Sequence, residues 1–565
     1  MRNARISARL ALSVLLLTGS VGASSSFAKP DAASDASAMA AALDAAKGDA
    51  LLEALVTELE RSKAQLKMDQ VQAPYYIEYR VNDMDDFNAE AAFGAVRESQ
   101  RSHLRVLRVV VRIGDYKQDS YYGRKGLGSA SYLPLDNDPI ALRRQIWLLT
   151  DEAYKSAADA YAEKLSALKQ FATDTNPVDD FAHAPVVSAV GETVSMNVDA
   201  NEWNRTLQEI TNLYRQYPDV QSVTASARFT AMNEYLVNSE GTIVRQGRTT
   251  ATVMIGGSTQ AADGMRLGRS PFWTEQRLKD LPSREELLKE TRKTLETLQA
   301  LRQAPIVEES YRGPVLFSPD AADDIMAELI GKNVLGFKPQ LGRPNRTTGA
   351  FATSYKTRVL PKFVTVVDDP TMKTFAGKTL LGSYDVDSEG VKAQPVTVAG
   401  QGMLENYLVS RQPLKDFPSS NGHGRAVPGG APQPSLGVLL VKSSEPESSK
   451  TLSEKLKQLA ADQNKPYAYR VETLAGSAPR LLYRVYANDG HEELVRGAVF
   501  NELDVRALRN DLAALGDDPL VSNRMTGLPQ TIICPSLLFD ELEVKRADTT
   551  KEKLPEYPAP ELKRK

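Results

Sequence analysis

Apolar residues at Leu52, Leu55, Leu59 and Leu66 recur at helical intervals, which predicts an amphipathic helix opening the ordered part of the chain near Ala50. Runs rich in aromatic and β-branched residues predict strands at 75–81, 104–113, 222–229, 234–237 and 242–255. The last two flank Asn238-Ser239-Glu240-Gly241, whose residue types suit a hairpin turn. Thr150 followed by Asp151 and Glu152 reads as a helix start, with acids against the positive end of the dipole, and predicts a helix to about Phe171. Ser283-Arg284-Glu285-Glu286 is a capping box for a further helix that reaches about Leu301.

Pro305 and the acidic Glu308-Glu309 then mark a boundary. Beyond it, Gly313-Pro314-Val315-Leu316-Phe317 reads as a strand, and Ser318-Pro319-Asp320 as a helix start with Ser at the N-cap and Pro next. After Lys362 the pattern turns β-rich, with strands predicted at 363–367, 394–399, 436–441 and 535–545 and one more helix capped within 451–454. The Gly- and Pro-rich segment 418–434 reads as an accessible loop. The fold class predicted is α+β in two domains, residues 50–305 and a β-rich 306–548, with an extended tail at 549–565. A length of 565 residues fits two domains better than one core.

The first 49 residues read differently. Arg2, Arg5 and Arg9 precede an apolar run from Leu10 to Leu17, and small residues follow up to Ser26-Phe27-Ala28, the pattern of a cleavable export signal over 1–28. The run is too short to span a bilayer, which takes roughly 20 apolar residues. No cysteine near the cleavage point offers a lipid attachment site. Residues 29–49 are Ala- and Asp-rich and read as a loose leader. The expectation is a periplasmic or secreted protein without a membrane anchor.

Charge and cysteine content narrow the chemistry. Removing residues 1–28 takes away three arginines and no acids, so 66 basic residues face 72 acidic ones, a net charge of −6 that gives no footing for nucleic-acid binding. Cys534 is the only cysteine, so no intramolecular disulfide forms, and its apolar surroundings favour a buried inert thiol. Four histidines are few for a metal centre. His491-Glu492-Glu493-Leu494-Val495 has Val where a zinc motif needs its second His. His423, in a glycine loop, is the one placed to enter a cleft, against the plainer reading of a loop residue.

Three strings carry more information: Val366-Val367-Asp368-Asp369-Pro370, Gly382-Ser383-Tyr384-Asp385-Val386-Asp387-Ser388-Glu389-Gly390-Val391, and Gln401-Gly402-Met403-Leu404-Glu405-Asn406-Tyr407-Leu408. With the segment 313–336, in this order and spacing, they resemble the C-terminal domain of the TldD/PmbA metallopeptidase family. The resemblance covers about 310–545 and extends as pattern over about 50–300. It implies an H-E-x-x-x-H zinc motif on the helix after the first strand, with a later cysteine as third ligand. Here that helix reads Ala327-Glu328-Leu329-Ile330-Gly331-Lys332, so Ala327 and Lys332 stand at the two histidine positions and Glu328 alone survives.

Histidines spaced i, i+5 lie about 140° apart on a regular helix, so the family motif needs a local bulge, which has no evident purpose here without a metal. Lys332 is protonated at neutral pH and is a poor ligand. Glu328 followed four residues later by Lys332 is the favourable order for a helix ion pair. The sequence therefore resembles the metal-free PmbA branch, also called TldE, with no catalytic, cofactor-binding or metal residues and no cofactor expected. The resemblance implies a pseudoenzyme subunit in a heterodimer with a zinc-bearing TldD-like relative, acting in proteolysis of unfolded peptides. Two alternatives stay open: a stand-alone peptide-binding or scaffold protein, and a metallopeptidase with a site rebuilt around Asp320, Asp323, Asp324 and Glu328.

Overall fold

The computed structural model describes residues 44, 46–122, 128–170, 178–339, 341, 347–548, 553–557 and 560. The expected export signal 1–28, most of the leader 29–49 and most of the tail 549–565 lie outside the described residues.

The first half is built on a long, largely antiparallel sheet. Its strands are β1 (Tyr76–Ala92), β2 (Ala95–Arg112), β3 (Ser129–Tyr132), β4 (Ser188–Val190), β5 (Ser222–Asn238) and β6 (Ile243–Gln260), in the order β3-β2-β1-β5-β6-β4, with β7 (Arg266–Arg269) and β8 (Phe272–Glu275) also pairing with β6. At one end of the sheet, helices α1 (Ala50–Gln65) and α2 (Pro139–Leu168) cover Ile77, Tyr79 and Val81 of β1 and Leu107, Val109 and Val111 of β2. At the other end, α3 (Ala200–Asn212) and α4 (Arg284–Gln303) cover Ala225, Ala227 and Val253. The predicted capping box holds, with Ser283 and Glu286 bonding each other's backbone N–H.

The second half is two sheets around one core. A six-stranded sheet runs in the order Met403–Leu404, Val396–Gly400, Val364–Asp368, Val438–Ser443, Pro529–Cys534, Leu520–Met525. A seven-stranded sheet contains β9 (Tyr311–Phe317), paired to Tyr467–Ala475 on one side and Leu537–Arg546 on the other. Helix α5 (Pro319–Met326) packs between them, and Phe317, Ile325, Val366, Leu439 and Phe539 form the centre of the core. Burying each such side chain contributes roughly 2–3 kcal/mol.

Several sequence expectations are corrected. The helix placed from Thr150 starts eleven residues earlier, with Asp138 as N-cap and Pro139 next. Thr150 is buried inside it, its hydroxyl bonded to Ile146 O. The strands predicted at 75–81 and 104–113 are 17 and 18 residues long, because the charged residues between them continue the ladder. The runs 222–229 and 234–237 form one strand, β5. Ser318 occupies the N-cap position of α5, but its hydroxyl goes to Glu472 O and not to the helix.

Candidate functional site

The turn at which the resemblance places the zinc motif follows α5 directly. Residues Ala327–Gly331 form a π-helical turn, and Lys332 N donates to Ala327 O at 3.2 Å, the i to i+5 bond. The bulge is thus present although this sequence sets no histidine pair on it. It is held by packing: Ile330 and Gly331 are buried, and a Cβ on Gly331 would come within 2.7 Å of Leu436 Cδ1. Lys332 Nζ pairs with Glu328 at 2.5 Å, both side chains more than half exposed. The residues present do not fit zinc. Ala327 offers no donor and packs its methyl against the core, Lys332 is engaged as a cation, and burial pushes the Cys534 thiol well up.

Of the acids of the rebuilt-site alternative, Asp320 stands exposed in the first turn of α5, while Asp323 and Asp324 are committed. Arg524 Nη2 lies 2.5 Å from Asp323 Oδ1 and 2.8 Å from Asp324 Oδ1. Burial, opposed by Arg524, pushes the Asp323 carboxyl up to about 6. Among the described residues, no group of three or more His, Cys, Asp or Glu side chains is arranged to hold a metal ion.

His423 does not reach a cleft. Its side chain is fully buried, Nδ1 beside Asn421 O at 2.9 Å and Nε2 beside Asp368 Oδ1 at 3.1 Å, while Asp368 also accepts from the N–H groups of Gly437 and Val438. The loop 418–434, read as accessible, is accessible only in part. Residues Gly422 to Ala426 are buried against other residues of the second half, among them Asp368, Ser388, Glu389 and Leu436.

Where the two halves meet, a cluster of charged side chains is buried. Strand pairing sets Tyr76 opposite Arg112, Glu78 opposite Val110 and Arg80 opposite Arg108, and alternation puts all six on the sheet face away from α1 and α2. All six are buried. The string Gly382 to Val391 covers them. Gly382 lies where a Cβ would meet Gly437 O at 2.0 Å, so the chain passes there only as glycine. Tyr384 OH donates to Gly422 O at 2.9 Å. Asp387 accepts the N–H groups of Glu389, Val391 and Gly424, each at 2.9 Å, which fixes the turn that delivers Ser388 and Glu389 to the sheet. Ser388 O then accepts from Arg80 Nη1 at 2.9 Å, and Glu389 Oε2 from Arg411 N at 2.6 Å.

Arg411 bridges the halves in turn. Its guanidinium makes two bonds to the Glu240 carboxylate, both 2.7 Å, and two to Ala182 O. Glu240 belongs to the turn predicted at 238–241. Burial, reinforced by Glu389, drives the Asp387 carboxyl well above the usual range, and burial raises Glu389 as well, so this pair favours holding a proton.

Between these groups lies a cavity of about 10 Å³, room for no more than about one water, lined by Glu78, Arg108, Arg112, Tyr121, Glu389 and Gln412 among others. The Gly-Pro strap of residues 427–432 crosses it. Gly429 O accepts from Arg108 Nη1 at 3.0 Å, and Gly430 O accepts from Arg80 Nη2. Sequence reading missed this site, since charged residues at alternate positions of a strand ordinarily mark a solvated face. The available signal is the string Gly382 to Val391.

Residues 310–546 match the family described as PmbA/TldA metallopeptidase C-terminal domain. No curated protein matches the chain. Among solved structures, a candidate modulator of DNA gyrase from Thermotoga maritima is 16% identical with a TM-score of 0.59, over 86% of this chain and 99% of that one. TldE from Thermococcus kodakarensis is 14% identical with a TM-score of 0.54, over 83% of this chain and 97% of that one. A candidate modulator of DNA gyrase from Bacteroides thetaiotaomicron is 11% identical with a TM-score of 0.57, over 87% and 98%. At such identities these likenesses establish a shared α+β fold over most of the chain.

Proposed function

From the match of residues 310–546 to the PmbA/TldD metallopeptidase C-terminal domain we propose that this chain is the metal-free member of an exported peptidase pair of that family. In this reading it binds unfolded peptides and pairs with an H-E-x-x-x-H relative that cuts them. The observation that carries it is the motif turn: the π-helical geometry is kept, while Ala327 and the Glu328-paired Lys332 stand at both histidine positions. Export is supported by the basic, apolar and small-residue order of residues 1–28. Extended peptides suit such a role because strand addition uses backbone hydrogen bonds and tolerates varied side chains.

The test is to assay the purified chain alone and mixed with an H-E-x-x-x-H relative, with and without chelator, alongside metal analysis. The chain alone is expected to hold no stoichiometric zinc and to cut nothing. Mixing should raise cleavage above that of the relative alone, and chelator should abolish it. Chelator-sensitive cleavage by the isolated chain, lost in Glu328→Gln, would overturn the reading in favour of a rebuilt metallopeptidase site.

A further inference from the structure

Arg108 is only 6% exposed and poorly satisfied. Its Nη1 donates to Gly429 O at 3.0 Å, while its Nε and Nη2 have no hydrogen-bond partner among the described residues. Arg112, also buried, gives its Nη1 to Asp119 at 2.6 Å and has no partner for its Nε. The ladder sets Arg80 directly across from Arg108, so a second guanidinium stands where a counter-charge would help. No carboxylate of the described residues lies within ion-pairing distance of Arg108. A buried cation without a counter-charge is costly, and so is each buried donor without an acceptor.

Both arginines line the cavity of about 10 Å³ beneath the strap 427–432. Two acids share its wall. Glu78 accepts Tyr76 OH at 2.6 Å and lies 4.0 Å from Arg80, so its charge serves that guanidinium. Burial pushes the Glu389 carboxyl up, towards the neutral acid, and its Oε2 is already taken by Arg411 N at 2.6 Å. Arg108 is left with no counter-charge of its own.

Three unpartnered N–H groups on two cations, beside a space of one-water size, call for an acceptor of a single atom. A water molecule accepts two such bonds and brings no charge. A monatomic anion accepts all three and neutralises the excess. We propose that this cavity holds one halide ion, chloride under ordinary conditions, bound by the Nε–H and Nη2–H of Arg108 and the Nε–H of Arg112. The ion is structural and not a substrate, and the inference does not rest on the peptide-binding reading. Gly429 O and Gly430 O fasten the strap to Arg108 and Arg80 above it, so the ion enters with solvent before the strap closes and is then kept.

The experiment collects long-wavelength diffraction from crystals of the full chain grown in sodium chloride, where chlorine scatters anomalously and oxygen does not. A chloride peak within hydrogen-bonding distance of Arg108 and Arg112 is expected. Density there without anomalous signal is a water and overturns the inference. In solution, thermal unfolding is followed as sodium chloride replaces sodium gluconate at constant ionic strength. An ion held only by the folded chain raises Tm by an equal step, about 1 °C, for each tenfold rise in chloride. Arg108→Gln removes the charge and should abolish that step. A step that persists in Arg108→Gln places the ion elsewhere and overturns the inference, and a peak without a step in the wild type is an adventitious ion only, which overturns it too. Should Arg108→Gln fail to fold, the peak and the wild-type step together decide.

Discussion

The π-helical turn at Ala327–Gly331 and the arginine-lined junction under residues 427–432 are opposites. At the turn, the backbone geometry is unusual and the side chains are ordinary: an alanine methyl in the core and an exposed Glu328–Lys332 pair. At the junction, the backbone is regular antiparallel sheet, and the side chains are buried charges, Arg80 and Arg108 held by backbone carbonyls and Arg112 and Arg411 by carboxylates. A motif search leads to the first place and passes over the second. Chemistry read from a short string depends on the residues being intact, whereas chemistry made by two distant halves closing on each other leaves no string at all.

If the junction bears charge that the fold depends on, breaking it should cost far more than breaking the turn. Arg411→Met removes both bonds to Glu240 and leaves that carboxylate unpaired in a closed interface. A loss of about 3–5 kcal/mol in urea-induced unfolding is expected, and a loss below about 1 kcal/mol would show that water reaches the site.

A middle-sized effect should come from Asp323, beside the turn. Its folded carboxyl titrates at about 6, against an ordinary value of 3.8. Its proton is therefore held more tightly in the folded state. The stability it contributes is fully present below about pH 4 and is lost as pH rises through about 6. Relative to Asp323→Asn, the wild type should lose up to about 3 kcal/mol between pH 4 and pH 7, and parallel stability curves for the two proteins would refute the assignment.

The smallest effect belongs to the surviving motif glutamate. Glu328→Gln breaks one exposed i, i+4 pair and should change stability by only a few tenths of a kcal/mol in the same urea experiment. A cost above about 1.5 kcal/mol would mean that the π turn depends on that pair and not on the packing of Ile330 and Gly331.

Much of the fold was legible because alternation and capping are local. The strands around Ile77, Val109 and Val253 and the capping box at Ser283 follow from neighbouring residues alone. The start of α2 was misplaced because Thr150-Asp151-Glu152 looks like a cap, while the true start at Asp138-Pro139 precedes an apolar stretch whose Trp147 and Leu148 remain exposed. His423 was misjudged for the opposite reason. Its flanking glycines suggest mobility, but the buried Asp368 that fixes it lies 55 residues away. The six residues of the β1 and β2 polar face were individually visible. Their burial was not, since it depends on residues 387–389 and 429–430.

The strap has a consequence for how the chain reaches its native state. Its bonds to Arg108 and Arg80 close loops of 321 and 350 residues. Native contacts of such sequence separation form late, after the entropy of closing the intervening chain has been met. Ribosomal synthesis therefore completes the first sheet long before its cover exists, and the nascent molecule carries an open cationic face until residues 382–432 arrive. A fragment ending near Pro305 would display that face permanently.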